Sequence, residues 1–292
     1  MKPTISVVIN TLNEEKNLPF ALRSVQTWAD EIVVVDMHSD DLTVEIAKSY
    51  GAKVYLHDRI QAFDGARSVA VSHAIGDWIL LLDADEVIPR PLSQKLIQIA
   101  SEDAADAVIM PRLNYLLGAP LLHTGWGPHQ DRLTRFFRKE KIVLNPRIHS
   151  FIHPVQGARV LTLPPQNELT LHHFSYLDSA HFFEKLNRYT TIEAQQAFER
   201  GEHSGKIRAA IRGAIEFMYR YIYRRGFLDG WRGFYLSGFM AIYRLAISAK
   251  LRELHASSGR NNNIEAYHRS AEEIIAGYDG ATPRAEKVWS FL

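Results

Sequence analysis

Residues 76 to 86 read Gly76-Asp77-Trp78-Ile79-Leu80-Leu81-Leu82-Asp83-Ala84-Asp85-Glu86. A run from Trp78 to Leu82 with no polar alternation is the pattern of a strand buried on both faces, as in a parallel sheet. The run then delivers Asp83 and Asp85, two residues apart, to the mouth of that sheet. Two carboxylates so placed suit Mg²⁺ or Mn²⁺, which take one or two protein carboxylates and fill their shell with water and phosphate oxygens. A lone Asp-x-Asp is also a common acidic turn, so its meaning depends on what precedes it.

Upstream, Ile5 to Asn10, Glu31 to Asp36 and Lys53 to His57 read as three further strands. Helical patterns separate them, which predicts an α/β fold with crossover helices. Asn17 is placed to cap a first helix with Pro19 in its first turn and Leu18, Leu22 and Val25 on one face. Leu42 to Tyr50 and Gly65 to Ile75 form the next two crossovers, with Gly51 and Gly76 as C-terminal stops. Polar residues gather where the strands end: Thr11, Asn13 and Glu14, then Asp36, Ser39 and Asp40, then Asp83 and Asp85. Ligands of open α/β sheets bind at the carboxyl ends of the strands, so these clusters are expected to line one crevice.

From Ala107 to Leu171 the chain turns to strands and loops rich in Gly, Pro and His, expected to cover the crevice, before helical spacing returns near Asp178. Ile207, Ile211, Ile215, Met218 and Ile222 then recur at helical spacing beside Arg208, Arg212, Arg220 and Arg224. A following segment interleaves Trp231, Phe234, Tyr235, Phe239, Tyr243, Leu245 and Leu251 with Arg232, Arg244, Lys250 and Arg252. Such a composition suits a helix lying on anionic lipid, although aromatic stripes at this spacing more often pack on a core. Ser257 to Asn263 looks like a polar break before a last short helix.

Composition narrows the function classes. The 292 residues carry a formal net charge of +1 and no cysteine. Disulfides and thiolate metal or redox sites are excluded, and a metal must rely on oxygen or imidazole ligands. Basic residues concentrate between Lys206 and Arg260, yet no nucleic-acid reading motif accompanies them, so nucleic acid is not an expected partner. No apolar stretch reaches the length of a membrane span. Met1-Lys2-Pro3-Thr4 runs straight into a strand without a secretory h-region, and the expected location is cytoplasmic, with peripheral attachment to the cytoplasmic face of the inner membrane.

Three ordered segments carry a resemblance: Ser6-Val7-Val8-Ile9-Asn10-Thr11-Leu12-Asn13-Glu14-Glu15, Val33-Val34-Val35-Asp36, and Gly76 through Glu86. They resemble the inverting family 2 glycosyltransferases of GT-A fold. The second half is similar to a narrower subgroup, the lipopolysaccharide-core β-glucosyltransferases, through Asp131 to Arg138, His172-His173-Phe174-Ser175-Tyr176, Lys185-Leu186-Asn187-Arg188-Tyr189 and Gly226-Phe227-Leu228-Asp229-Gly230.

The resemblance implies a GT-A catalytic domain over 1–175, divided into a nucleotide-sugar half (1–110) and an acceptor half (111–175), with a helical extension over 176–292. It implies transfer of a hexose, glucose by subgroup, from a UDP-sugar to a cell-envelope glycan or lipid-linked acceptor. Thr11, Asn13 and Glu14 would contact the nucleotide and Asp36 the base. Arg67 would approach the diphosphate, Asp83 the ribose and metal, and Asp85 the metal. Asp131 would be the base that deprotonates the acceptor, with His153 and His149 as alternatives. His172 or His173 would complete a metal site.

This sequence departs from the family in three places. Met37-His38 replaces more usual acidic and glycine residues, Ser68 replaces Asn after Arg67, and Pro154 stands at a glutamate position after His153. A silent sugar-nucleotide or glycan-binding protein of the same fold is the competing reading, opposed by the intact Asp83, Asp85 and Asp131. Nucleotidyl transfer would call for a Gly-rich phosphate loop, and Thr11-Leu12-Asn13-Glu14 lacks that chemistry.

Overall fold

The computed structural model of the protein describes residues 2–59, 63–144, 152–256 and 260–276. The chain begins β1 (Ile5–Thr11), α1 (Leu18–Val25), β2 (Glu31–Asp36), α2 (Thr43–Ser49), β3 (Lys53–Leu56), α3 (Phe63–His73), β4 (Trp78–Asp83). β1 lies between β2 and β4, β3 flanks β2, and all four run parallel. Their register sets Thr11 opposite Asp36 and Asn10 opposite Asp83, so the expected clusters do share one edge.

Alternate side chains of these strands enter two apolar layers. Val7, Ile9, Val34, Leu80 and Leu82 meet Leu18 and Leu22 of α1 and Leu92 and Leu96 of α4 (Arg90–Ser101). Val8, Val33, Val35, Ile79 and Leu81 meet Ala70 and Val71 of α3 and Ala74 just beyond it. With both faces covered, neither can be polar, which is why the strands read as continuous apolar runs. Each fully buried aliphatic side chain contributes about 1.5–3 kcal/mol.

Between β4 and α4 lies the short β5 (Glu86–Val87). The remaining strands are β6 (Ala107–Leu116), β7 (Ala119–Pro120), β8 (Arg132–Arg138), β9 (Ile142–Val143), β10 (His153–Pro154), β11 (Val160–Thr162) and β12 (Leu171–Tyr176). β8 inserts antiparallel between β4 and β6, and β11 and β12 run parallel to β6. The middle section therefore extends the sheet, where the sequence suggested a cover. β9 and β10 form a separate ribbon. The architecture is the GT-A type: a mostly parallel sheet with helices on both faces and a helical C-terminal part.

Some local expectations are corrected. Asn17 occupies the N-cap of α1 but makes no side-chain cap bond, because its amide donates to Glu14 Oε2 at 2.9 Å. Gly51 does adopt a left-handed conformation, φ +76°. Gly76 does not serve that purpose: a Cβ there would lie 2.7 Å from the Ser6 backbone nitrogen, so glycine is needed for close approach of β1.

The C-terminal part comprises α5 (Ser179–Glu199), α6 (Lys206–Met218), a π turn at Tyr219–Tyr223, a 3-10 turn at Gly226–Asp229, α7 (Gly230–His255) and α8 (Arg260–Ala276). Asp178 caps α5 by accepting from His181 N. Phe182 and Leu186 of α5 pack with Leu236 and Met240 of α7 against Leu116 and Leu121. No helix among the described residues is long and apolar enough to cross a membrane.

Candidate active site

Thr11 and Asp36 are fully buried at the strand ends. Asp36 accepts from Thr11 Oγ1 at 2.8 Å, from Ser39 Oγ at 2.6 Å and from Ser39 N at 2.8 Å. It thus ties the ends of β1 and β2 together. Asn13, at φ +57°, donates its backbone N–H to Ser39 Oγ and accepts from Asp40 N, both at 2.8 Å. Asn tolerates this left-handed conformation because its side chain bonds locally. Asn10, one residue before Thr11, faces the α3 side of the sheet as Asp83 does. It is buried, yet neither polar atom of its amide has a partner among the described residues.

The two aspartates of the Asp-x-Asp motif have different surroundings. Asp83 Oδ1 accepts from Arg67 Nη2 at 2.8 Å, and Oδ2 from Arg135 Nη2 at 2.5 Å. Burial opposes its ionisation, but these two guanidiniums outweigh burial and hold the carboxyl well below the usual range. Asp85 faces His173 Nε2 at 3.4 Å and Lys185 Nζ at 3.6 Å. Against the same burial, they hold it down to about 2. Glu14 is driven the other way, to about 7, by burial and then by the Asp85 charge.

Behind the aspartates lies a charged network. Glu86 is fully buried and accepts from Arg112 and Arg135, both at 3.3 Å, and from Asp83 N at 2.9 Å. Removing a cation from such a cluster strands a charge in low dielectric, a loss of about 3–5 kcal/mol.

Asp131 stands just before β8, where Arg112 Nε donates to its Oδ2 at 3.0 Å and Asn114 Nδ2 at 2.6 Å. Asn114 Nδ2 also donates to Trp126 O, so its Oδ1 is left as the acceptor facing His173 Nδ1 at 2.6 Å. The proton on that side of His173 therefore lies on Nδ1, and Nε2 is aimed at Asp85. One buried amide joins the Asp131 side of the site to the Asp85 side.

The loop leading to Asp131 is held by the C-terminal helices. Asp229 accepts from Leu122 N at 3.1 Å and His123 N at 3.0 Å. Arg220 Nη1 donates to Thr124 O at 2.9 Å, and Arg232 reaches Leu117 O.

The structure thus gathers Glu14, Arg67, Asp83, Asp85 and Asp131 with His173. His172 turns aside, its Nδ1 3.0 Å from Tyr115 OH. His153 is exposed on the β9–β10 ribbon, and His149 lies outside the described residues. Arg112, Asn114, Arg135 and Lys185 received no role from the sequence. Arg135 falls at a register shift of β8 against β6, which breaks the alternation from Asp131, and Arg112 and Asn114 sit in a strand that only the fold places here.

Among the described residues no group of three or more His, Cys, Asp or Glu side chains gathers as a metal site. The donors at hand are one carboxylate and one imidazole, Asp85 and His173, which fit an ion that completes its shell with phosphate and water. Asn114 on Nδ1 is the outer partner that orients such a histidine.

The model of glycosyl transferase family 2 matches residues 6–160. An uncharacterized glycosyltransferase of Rickettsia bellii is 31% identical over 264 residues, covering 86% of each chain. The lipopolysaccharide core biosynthesis glycosyltransferase LpsC of Rhizobium meliloti is 28% identical, covering 91% of this chain and 98% of its own. A crystal structure of residues 1–349 of S. aureus TarS aligns with 91% of this chain and 92% of its own at 16% identity, TM-score 0.44.

Proposed function

The chain belongs to glycosyl transferase family 2, and from that premise we propose that it transfers a hexose from a UDP-sugar, with inversion, to a cell-envelope glycan or lipid-linked acceptor. The observation that carries this reading is the Asp131–Asn114–His173–Asp85 chain of contacts. It joins a carboxylate able to take a proton to a site able to hold the leaving diphosphate.

In this reading Thr11, Asn13, Glu14 and Asp36 shape the nucleotide pocket, and the unpartnered amide of Asn10 finds a polar partner on the nucleotide. Asp83, held by Arg67 and Arg135, sits beside the ribose and the diphosphate. Asp85 and His173 would hold Mg²⁺ or Mn²⁺, which when bound neutralises charge on the departing diphosphate. Lys185 adds a positive charge on the same side. Asp131 accepts the acceptor hydroxyl proton as that oxygen attacks the anomeric carbon, an assistance worth about 10²- to 10⁴-fold. Arg112 and Asn114 fix its carboxylate against rotation.

The exposed surface of the C-terminal helices supports a site of action at a membrane surface. Ile207, Ile211, Ile215 and Met218 of α6 are all more than half exposed, as are Leu228 and Trp231 beyond the π turn. An uncovered apolar face of this size, next to basic residues, fits an anionic bilayer surface. Of the stripe's other arginines, Arg220 is bonded to Glu216 and to the Thr124 carbonyl, and Arg224 to the exposed Tyr219 hydroxyl. Arg208 and Arg212 carry the basic edge.

Donor hydrolysis over a panel of nucleotide sugars, with and without Mn²⁺, tests the reading. UDP-glucose turned over only with the metal, and lost in Asp85→Ala, is the expected result. Turnover of no nucleotide sugar would favour the silent binding protein.

A further inference from the structure

A cleft of about 800 Å³ lies between α5, α6 and α7, away from the strand-end site. Its acidic residues are already engaged: Glu202 by Arg200 at 2.6 Å, Glu216 by Arg220 at 2.7 Å and Arg244 at 2.9 Å, and Glu193 by the Tyr243 hydroxyl. Arg208 and Arg212, one helical turn apart on α6, line the same cleft. Neither has an ion-pair or hydrogen-bond partner among the described residues. With Arg200 and Arg244 paired to Glu202 and Glu216, these two guanidiniums face one remaining lining carboxylate, Glu193, and leave the cleft an excess of positive charge. Beside them, the N-cap of α6 is Gly205, which provides no side-chain bond to the first-turn N–H groups, and Gly205, Lys206 and Ile207 line an adjoining cavity that shares Ser204 and Arg208 with the cleft.

The other wall is apolar. Ile215, Ile247 and Leu251 line the cleft, and Ile207 and Ile211, 79% and 53% exposed, continue the apolar surface outside it. A guanidinium pair with helix N–H groups recognises a phosphate, while the adjoining isoleucine ridge has no use for a soluble phosphate. Both features together suit an amphiphile.

We propose that this cleft is a binding site for the phosphate headgroup of a membrane phospholipid whose acyl chains lie along the Ile207–Ile211–Ile215 ridge. The inference rests on the membrane part of the proposed function and deepens it, from a diffuse attraction to a site with defined contacts. On α5 the cleft begins eight residues beyond Lys185, roughly 12 Å along the helix at about 1.5 Å per residue. A lipid held there sets the crevice at a fixed height above the bilayer.

The test is co-sedimentation with phosphatidylglycerol vesicles, comparing the full-length wild type with R208K/R212K, R208Q/R212Q and I207S/I211S. Lysine keeps the charge and loses the bidentate geometry. The lysine variant should partition roughly five- to tenfold less than wild type, the equivalent of a lost charge-assisted hydrogen bond or two. The serine variant should fall as well, and donor hydrolysis should be unchanged in all of them. Equal partition of the lysine variant and wild type would overturn the site while leaving a diffuse membrane attraction standing. Absence of vesicle binding by wild type, with donor hydrolysis intact, would overturn the site and the membrane reading but not the transferase. Release by millimolar inorganic phosphate beyond that by chloride at equal ionic strength, with the serine variant unaffected, would assign the cleft to free phosphate and overturn the lipid.

Discussion

Asn114 shows how much one side chain decides in this site. Its amide nitrogen is taken by Asp131 and Trp126 and its oxygen by His173. Truncating it should therefore disturb two functions together. Asn114→Ala is expected to weaken both turnover and the Mn²⁺ response, each by about 10- to 100-fold as for other groups that orient a ligand. Asp131→Asn should behave differently. It keeps the shape of the carboxylate and removes its basicity, so transfer falls by about 10²- to 10⁴-fold while donor and metal binding persist. Single-turnover assays alongside Mn²⁺ titrations separate the two patterns. Equal loss of metal response in both variants would argue against Asn114 as the link, and survival of transfer in Asp131→Asn would point to another base.

Whole elements are held by contacts as specific as these. Arg159, next to β11, donates to Asp106 at the start of β6 through N, Nε and Nη2, and these bonds hold the Asp106 carboxyl down to about 2. Its folded pKa lies below the unfolded 3.8, so the contribution is fully present above that value and fades as pH falls toward about 2. Denaturant melts should show Asp106→Asn less stable than wild type at neutral pH, with the gap closing over that acid window. A gap independent of pH would assign the loss to shape and not to charge.

The 3-10 turn and α7 meet at Gly233, where a Cβ would stand 1.8 Å from Gly226 O. Because the obstacle is backbone, Gly233→Ala must spread the two apart at about 1–3 kcal/mol. A thermal melt lowered by several degrees is expected, together with weaker turnover, since the same turn carries Asp229 and its hold on the Asp131 loop.

Over the whole molecule, the apolar residues divide between a sheet covered on both faces and a helical surface left open. Tm and vesicle binding should accordingly respond to different substitutions. Wild type should bind anionic vesicles better than neutral ones, and the preference should shrink as salt shortens the electrostatic range from about 8 Å at physiological strength. A residual binding at high salt is expected from the isoleucine ridge, and salt-independent binding would remove the role of Arg208 and Arg212. The sequence by itself determined the parallel sheet, because strands buried on both faces must be apolar throughout, and it determined the strand-end clusters, because polar residues can follow such strands only at their ends. It also supplied the helical period of the isoleucines. Only the tertiary structure decided that β8 enters the sheet between β4 and β6, that Arg67, Arg112 and Arg135 pair with Asp83, Glu86 and Asp131, and that His173 faces Asp85. Those are pairings between residues far apart in the chain, and no local period or spacing encodes them. The fate of the arginine stripe was decided in the same way: Arg220 is drawn to the Thr124 carbonyl, far away in the chain, and no spacing of the arginines announces that contact.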